Sequence, residues 1–147
     1  AKKEPEPDKL AFDSSIQKGT ERILLVDDED VIADMEKQML ERLGYRVTAR
    51  ASSTDALAAF RTQPDKFDLV ITDMTMPNMT GDKLAGELIK TRSDIPIILC
   101  TGFSELVSKE KAAALGIKGF LMKPLLREEM AHTIRKVLDE AKGSTQQ

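Results

Sequence analysis

The sequence predicts an α/β domain built as a doubly wound, five-stranded parallel sheet. Two observations carry that expectation. Short runs such as Ile23–Val26, Leu69–Ile71 and Ile97–Cys100 are apolar at every position rather than at alternate ones. Strands buried on both faces have this pattern, and helices on both sides of a parallel sheet bury them so. Between the runs lie segments with apolar residues at helical spacing, so strand and helix alternate along the chain.

Ile23–Val26 is the first strand and ends in Asp27, Asp28, Glu29 and Asp30. Residues 31–43 follow as a helix, with Val31, Met35, Met39 and Leu43 every four residues and Ile32 and Leu40 beside them. Asp30 is expected as its N-cap, and Gly44 stands where a helix should stop. Tyr45–Ala49 alternates apolar and polar, as an edge strand would. Ser52 and Asp55 have the spacing of a helix-opening capping box, Ala56, Leu57 and Phe60 form the apolar side, and Pro64 breaks the helix. The third strand covers 68–73. Pro77 and Gly81 shape the loop after Asp73, ahead of a helix carrying Leu84, Leu88 and Ile89. Ile97–Cys100 is the fourth strand. A helix from Ser104 to Leu115 rests on its alanines and stops at Gly116. Phe120–Met122 is the fifth strand. The last helix carries Met130, Ile134, Val137, Leu138 and Ala141 on one stripe.

The chain has 147 residues, which favours one domain with a real core. Residues 1–20, rich in charge and proline, are expected as a flexible tail or linker, with Leu10, Phe12 and Ile16 as weak docking points. The domain proper is placed at 21–142, and 143–147 as a disordered polar tail. A net charge of −3 argues against a general nucleic-acid binder. No apolar run approaches the roughly 20 residues that span a bilayer, so no membrane contact is expected of this segment. A single cysteine, Cys100, cannot form an internal disulfide and suits a reducing cytoplasm. Cys100 is expected as a core residue and His132, among charged neighbours, as a solvated one.

A doubly wound sheet places its ligand site outside the carboxyl ends of the strands. Those ends carry the chemistry. The first offers Asp27 and Asp28, the third Asp73, the fourth Thr101 and Gly102, and the fifth Lys123 and Pro124. Carboxylates, a hydroxyl beside a small residue, and one lysine therefore share a rim.

Four motifs in order, Leu25-Val26-Asp27-Asp28-Glu29, Asp73-Met74-Thr75-Met76-Pro77-Asn78-Met79-Thr80-Gly81, Thr101-Gly102 and Lys123-Pro124, resemble those of the receiver domain, the phosphoacceptor module of two-component response regulators. The resemblance covers about residues 21–141. It implies a flavodoxin-like sheet in the order 2-1-3-4-5, which sets the first and third strands side by side. It implies that Asp73 is the nucleophile and takes a phosphoryl group from a phosphohistidine. It also implies Mg²⁺ (or Mn²⁺) on Asp28, Asp73 and the Thr75 backbone carbonyl, with Asp27 acting through water. Lys123, Thr101, Gly102 and Thr75 would contact the phosphoryl oxygens, and Lys123-Pro124 could be cis. Thr101 and Phe120 would switch a surface formed by the fourth helix, fifth strand and fifth helix. Thr75 and Phe103 would tune the lifetime of the adduct. The implied partner is a histidine kinase or histidine phosphotransfer protein, with the domain a monomer or weak dimer.

Two contexts stay open. One is the terminal receiver of a hybrid sensor kinase, cytoplasmic whether or not the parent kinase is anchored to a membrane. The other is a stand-alone regulator. The start at Ala1 fits removal of Met or a piece of a longer chain, and the end after the fifth helix leads to the expectation that this chain has no room for a DNA-binding output domain. Competing readings are an aspartate-nucleophile phosphatase of the haloacid dehalogenase type and a degenerate receiver that only binds partners. The first needs a second acid where Thr75 stands, and the intact acids, Thr101 and Lys123 argue against the second.

Overall fold

The structure, a computed structural model, describes residues 17–102 and 109–146. Five strands, β1 (Arg22–Val26), β2 (Arg46–Arg50), β3 (Leu69–Asp73), β4 (Ile97–Thr101) and β5 (Gly119–Met122), form one parallel sheet in the order β2-β1-β3-β4-β5. Five helices accompany them: α1 (Asp30–Arg42), α2 (Ser53–Thr62), α3 (Gly81–Thr91), α4 (Lys109–Ala114) and α5 (Arg127–Gln146), with a 3-10 turn at Pro64–Lys66. The fold class and strand order are those expected.

Alternate strand residues supply two apolar layers. Ile23, Leu25, Ile71 and Ile98 pack with Leu40 of α1 and Ile134, Val137 and Leu138 of α5. Leu24, Val26, Val70 and Leu99 pack with Leu57 and Phe60 of α2, Leu84 and Leu88 of α3, and Ala112 of α4. Every residue of β3 and β4 is buried. That double coverage is why their sequences do not alternate.

Local chemistry opens and closes the helices. The Ser52 hydroxyl accepts the Asp55 N–H at 3.1 Å, as its spacing suggested. Gly44 and Gly116 follow α1 and α4 with φ of 102° and 96°, a region glycine enters without penalty. A side chain at Gly44 would also strike the Gly19 carbonyl, since Gly19 donates to the Leu43 carbonyl at 3.1 Å.

Several expectations are corrected. Only part of the four-residue stripe on α1 faces inward: Val31 and Met35 are 74% and 56% exposed, while Leu43 is buried and Met39 packs on the core, together with Ala33, Glu36 and Leu40. A strict spacing of four drifts by about 40° per step on a helix of 3.6 residues per turn, so Val31 and Leu43 lie roughly 120° apart. Asp30 is the first helical residue and Glu29 the cap position, without a side-chain cap bond. β2 is an edge strand, but Val47 to Arg50 are all half-buried rather than alternating. α5 runs on to Gln146, past Gly143 where a disordered tail was expected. Lys142, the last residue of the expected domain, is anchored to Glu21 at 2.8 Å. Residues 17–20, expected in the flexible linker, are held to the domain through Gly19 and through the Lys18 carbonyl, which accepts from Arg135. The expected docking points Leu10, Phe12 and Ile16, the residue Phe103, and the start of the fourth helix at Ser104 lie outside the described residues.

Candidate functional site

β1 and β3 are neighbours, with Val26 opposite Thr72. The residues that follow or end these strands therefore meet at one edge of the sheet. Asp27, Asp28 and Asp73 each place a carboxylate oxygen within 4.8 Å of the others. Asp27 and Asp73 are 1% and 6% exposed, and Asp28 is half-buried. Asp27 is fixed by its backbone: its N–H donates to the Arg50 carbonyl at 3.2 Å, and its Oδ1 accepts the Glu29 N–H at 3.0 Å.

The other strand ends close around these acids. Lys123 follows β5 and brings its Nζ to 2.7 Å from Asp73 Oδ1. Its N–H donates to the Thr101 carbonyl at 2.7 Å, and the Lys123–Pro124 peptide is cis. Burial works to lower the Lys123 pKa, but the hydrogen bond and charge of Asp73, with the charges of Asp27 and Glu36, outweigh it and raise the pKa. Thr101 is buried and its hydroxyl donates to Met122 Sδ at 3.4 Å, its register partner on β5. Gly102 is half-buried beside it, and Thr75 is exposed two residues past Asp73. Phe120 is half-buried and packs on the α2–α4 side of the sheet.

The loop after Asp73 is tied down on both sides. Gly81 N–H donates to the Met74 carbonyl at 2.8 Å, and the Ser53 hydroxyl donates to the Met79 carbonyl at 2.6 Å. Asn78 takes φ of 72°, which a short polar side chain tolerates. A side chain on Gly81 would strike the Asp73 carbonyl oxygen. Only glycine lets α3 start so near the nucleophile candidate.

The structure thus brings together Asp27, Asp28, Asp73 and Lys123 directly, with Thr101 and Gly102 on the next strand end. Sequence reasoning missed Glu36. It is 7% exposed on the inner face of α1 and hydrogen-bonded to Asp27. Burial first, then the Asp27 charge, push its pKa up to about 7, against the opposing charge of Lys123. Its signal was the Ala33–Glu36–Leu40 spacing, a truer inward stripe than the four-residue one. Cys100 is buried as expected, and burial raises its thiol pKa well above the usual value. His132 is exposed. Among the described residues no helix is long and apolar enough to cross a membrane.

Three hard carboxylate donors on one buried rim suit a small divalent cation such as Mg²⁺. Fold and site together define a parallel α/β module with an acidic pocket, a lysine and a hydroxyl at the carboxyl edge of its sheet. The model of the response regulator receiver domain matches residues 23–135, and the chain belongs to that family. It is the phosphoacceptor module of two-component signalling, whose members act with histidine kinases or phosphotransfer proteins and generally bind Mg²⁺ at an acidic pocket.

Relatives of two architectures are similar to it. Sensor kinase CckA of Brucella abortus is 34% identical over 122 residues, which is 83% of this chain and 13% of the kinase. Two-component response regulator ARR12 of Arabidopsis thaliana is 34% identical over 127 residues, 84% of this chain and 21% of the regulator. The chain spans a small part of the length of both. A receiver domain protein from Clostridium thermocellum superposes with a TM-score of 0.79 at 31% identity, covering 83% of this chain and 97% of that one. A CheY-like receiver domain protein from Methanospirillum hungatei gives 0.76 at 31% identity, covering 86% and 99%.

Proposed function

We propose that Asp73 is the phosphoacceptor and receives a phosphoryl group from a phosphohistidine in a Mg²⁺-dependent transfer. The observation that carries this reading is the convergence on Asp73: two carboxylates within 4.8 Å and the Lys123 ammonium at 2.7 Å. Asp28, Asp73 and the Thr75 backbone carbonyl would hold the cation, with Asp27 acting through water, and the cation would neutralise carboxylates and phosphoryl oxygens. The Asp73 carboxylate attacks phosphorus as the bond to the donor imidazole breaks. Lys123 follows the developing charge onto the phosphoryl oxygens. Thr101 exchanges its weak contact with Met122 Sδ for a phosphoryl oxygen, and backbone N–H groups at Thr75 and Gly102 donate beside it. The movement of Thr101 draws the end of β4 inward, and Phe120 fills the space released. That biases the surface of α4, β5 and α5 towards a second state.

A donor must approach over the rim. Val31 and Met35 are exposed on the helix that follows Asp28, and Leu126, 56% exposed, lies just past Lys123. These residues offer apolar ground for a partner beside the acids. The likeness to a sensor kinase supports the terminal receiver of a hybrid kinase as the parent context. A stand-alone regulator is the second reading, supported by receiver structures of which this chain covers nearly the whole length. A kinase core encoded in frame ahead of Ala1 would decide for the first.

The test is incubation with Mg²⁺ and acetyl phosphate, followed by intact-mass spectrometry. One acid-stable, base-labile phosphoryl adduct is expected, absent without Mg²⁺ and absent in Asp73→Ala. No adduct on the wild type, or an adduct that survives Asp73→Ala, overturns the reading.

A further inference from the structure

Glu36 does not belong, by its surroundings, to an ordinary helix face. Its neighbours along the inner stripe of α1 are Ala33 and Leu40, and its exposure is 7%. A carboxyl group at such a position is costly unless a hydrogen bond compensates. Its partner is the Asp27 side chain. Two carboxyl groups in such contact hydrogen-bond by sharing a proton. Asp27 is thereby gripped from two directions. The Glu29 N–H holds Oδ1 from the loop at 3.0 Å, and Glu36 reaches it from the helix. Lys123 does not share this task, since its ammonium sits on Asp73.

We propose that Glu36 is a positioning residue of the acidic pocket: its hydrogen bond holds the Asp27 carboxylate where Asp27, Asp28 and Asp73 jointly accept a divalent cation. The inference rests on the reading of that pocket as a cation site. Carboxylates around a metal are commonly held by hydrogen bonds of their own, and loss of such a partner costs about 10–100-fold in metal affinity. A residue that only fills space makes the opposite forecast. Replacing a buried carboxyl by a well-packed apolar side chain is then neutral or stabilising, with no loss of binding.

The test compares wild type, Glu36→Gln, Glu36→Leu and Glu36→Met at one pH. Mg²⁺ affinity is measured by calorimetry, Mn²⁺ affinity by electron paramagnetic resonance, and thermal melting in the presence of a chelator. Glu36→Leu is expected to bind Mg²⁺ about tenfold or more weakly, while melting no lower than wild type. Glu36→Met takes the same forecast and stands in if the leucine variant does not fold. Glu36→Gln, whose amide N–H can still donate to Asp27, is expected within about threefold of wild type. Wild-type affinity in the apolar variants overturns the proposal alone. So does a glutamine variant as weak as the leucine one, because the charge of Glu36 rather than its hydrogen bond would then matter. A wild type that binds no Mg²⁺ overturns the cation site itself and this proposal with it.

Discussion

The ammonium of Lys123 lies 2.7 Å from Asp73 Oδ1, beside the carboxylates of Asp27 and Asp28. It balances the acids, and it also competes with any cation that enters among them. Lys123→Ala should therefore separate two quantities. Mg²⁺ affinity should rise by about tenfold, because a positive charge a few ångströms from the cation is removed. Phosphorylation by acetyl phosphate should slow by about 100-fold or more, because the phosphoryl oxygens lose their fixed positive partner. Calorimetry and a mass-spectrometric time course read the two, and a fall in both would contradict this account. The residues of this pocket were mostly legible in the sequence. Asp27, Asp28, Asp73, Thr101 and Lys123 each follow or end an apolar run, and the fold brings strand ends together. Glu36 was not legible, because a lone acid within a helix is ordinarily taken for a solvated one. Only its place on the Ala33–Leu40 stripe distinguishes it.

Among the elements, α5 carries a feature that composition alone does not show. Arg135 pairs with Glu21 at 2.7 Å and with Asp139 at 2.9 Å, and it donates to the Lys18 carbonyl and to the Tyr45 hydroxyl. Lys142 adds a second cation to Glu21. The Arg135 hydrogen bond is the main cause that lowers the Glu21 pKa to about 2, against the opposing effect of burial. A carboxylate with a lowered pKa in the folded state stabilises fully above its ordinary value of 4.5. That contribution fades as pH falls from about 4.5 towards about 2. Glu21→Gln should cost about 1–3 kcal/mol at pH 6, and the difference from wild type should shrink steadily below pH 4.5. Urea unfolding across that range measures it, and a difference independent of pH would count against the pairing. The contacts of Arg135 with Lys18 and Glu21 link residues more than a hundred positions apart, so no local pattern could announce them. The inward face of α1 failed for a different reason: a spacing of four looks helical over two turns and drifts off the face over three.

At the scale of the whole molecule, the strand order follows from the resemblance, while burial explains why the strands are apolar throughout. Which helix covers which face was not legible, since α1 lies opposite α2, α3 and α4 only because the chain moves outward from β1 to β2 and then turns back across the sheet to β3. The arrangement ties the acidic rim to global stability. Three carboxylates held together disfavour the folded state, and a cation bound there favours it. Mg²⁺ at ten times its dissociation constant should add about 1.4 kcal/mol and raise the melting temperature by roughly 4–6 °C. Asp73→Asn should reduce that gain sharply. A calorimetric melt with and without Mg²⁺ tests both, and an equal shift in the variant would place the cation elsewhere.

The clamp of Arg135 on Lys18 and Glu21 lies at the start of β1, whereas the acids lie past its other end. About 20 Å of extended chain separates Glu21 from Asp27. A tag, label or surface attachment joined ahead of Gln17 would therefore hold the domain by its base and leave the rim facing outward. Binding partners could then be measured on a sensor chip without the attachment shading the pocket, and the domain itself would set the orientation.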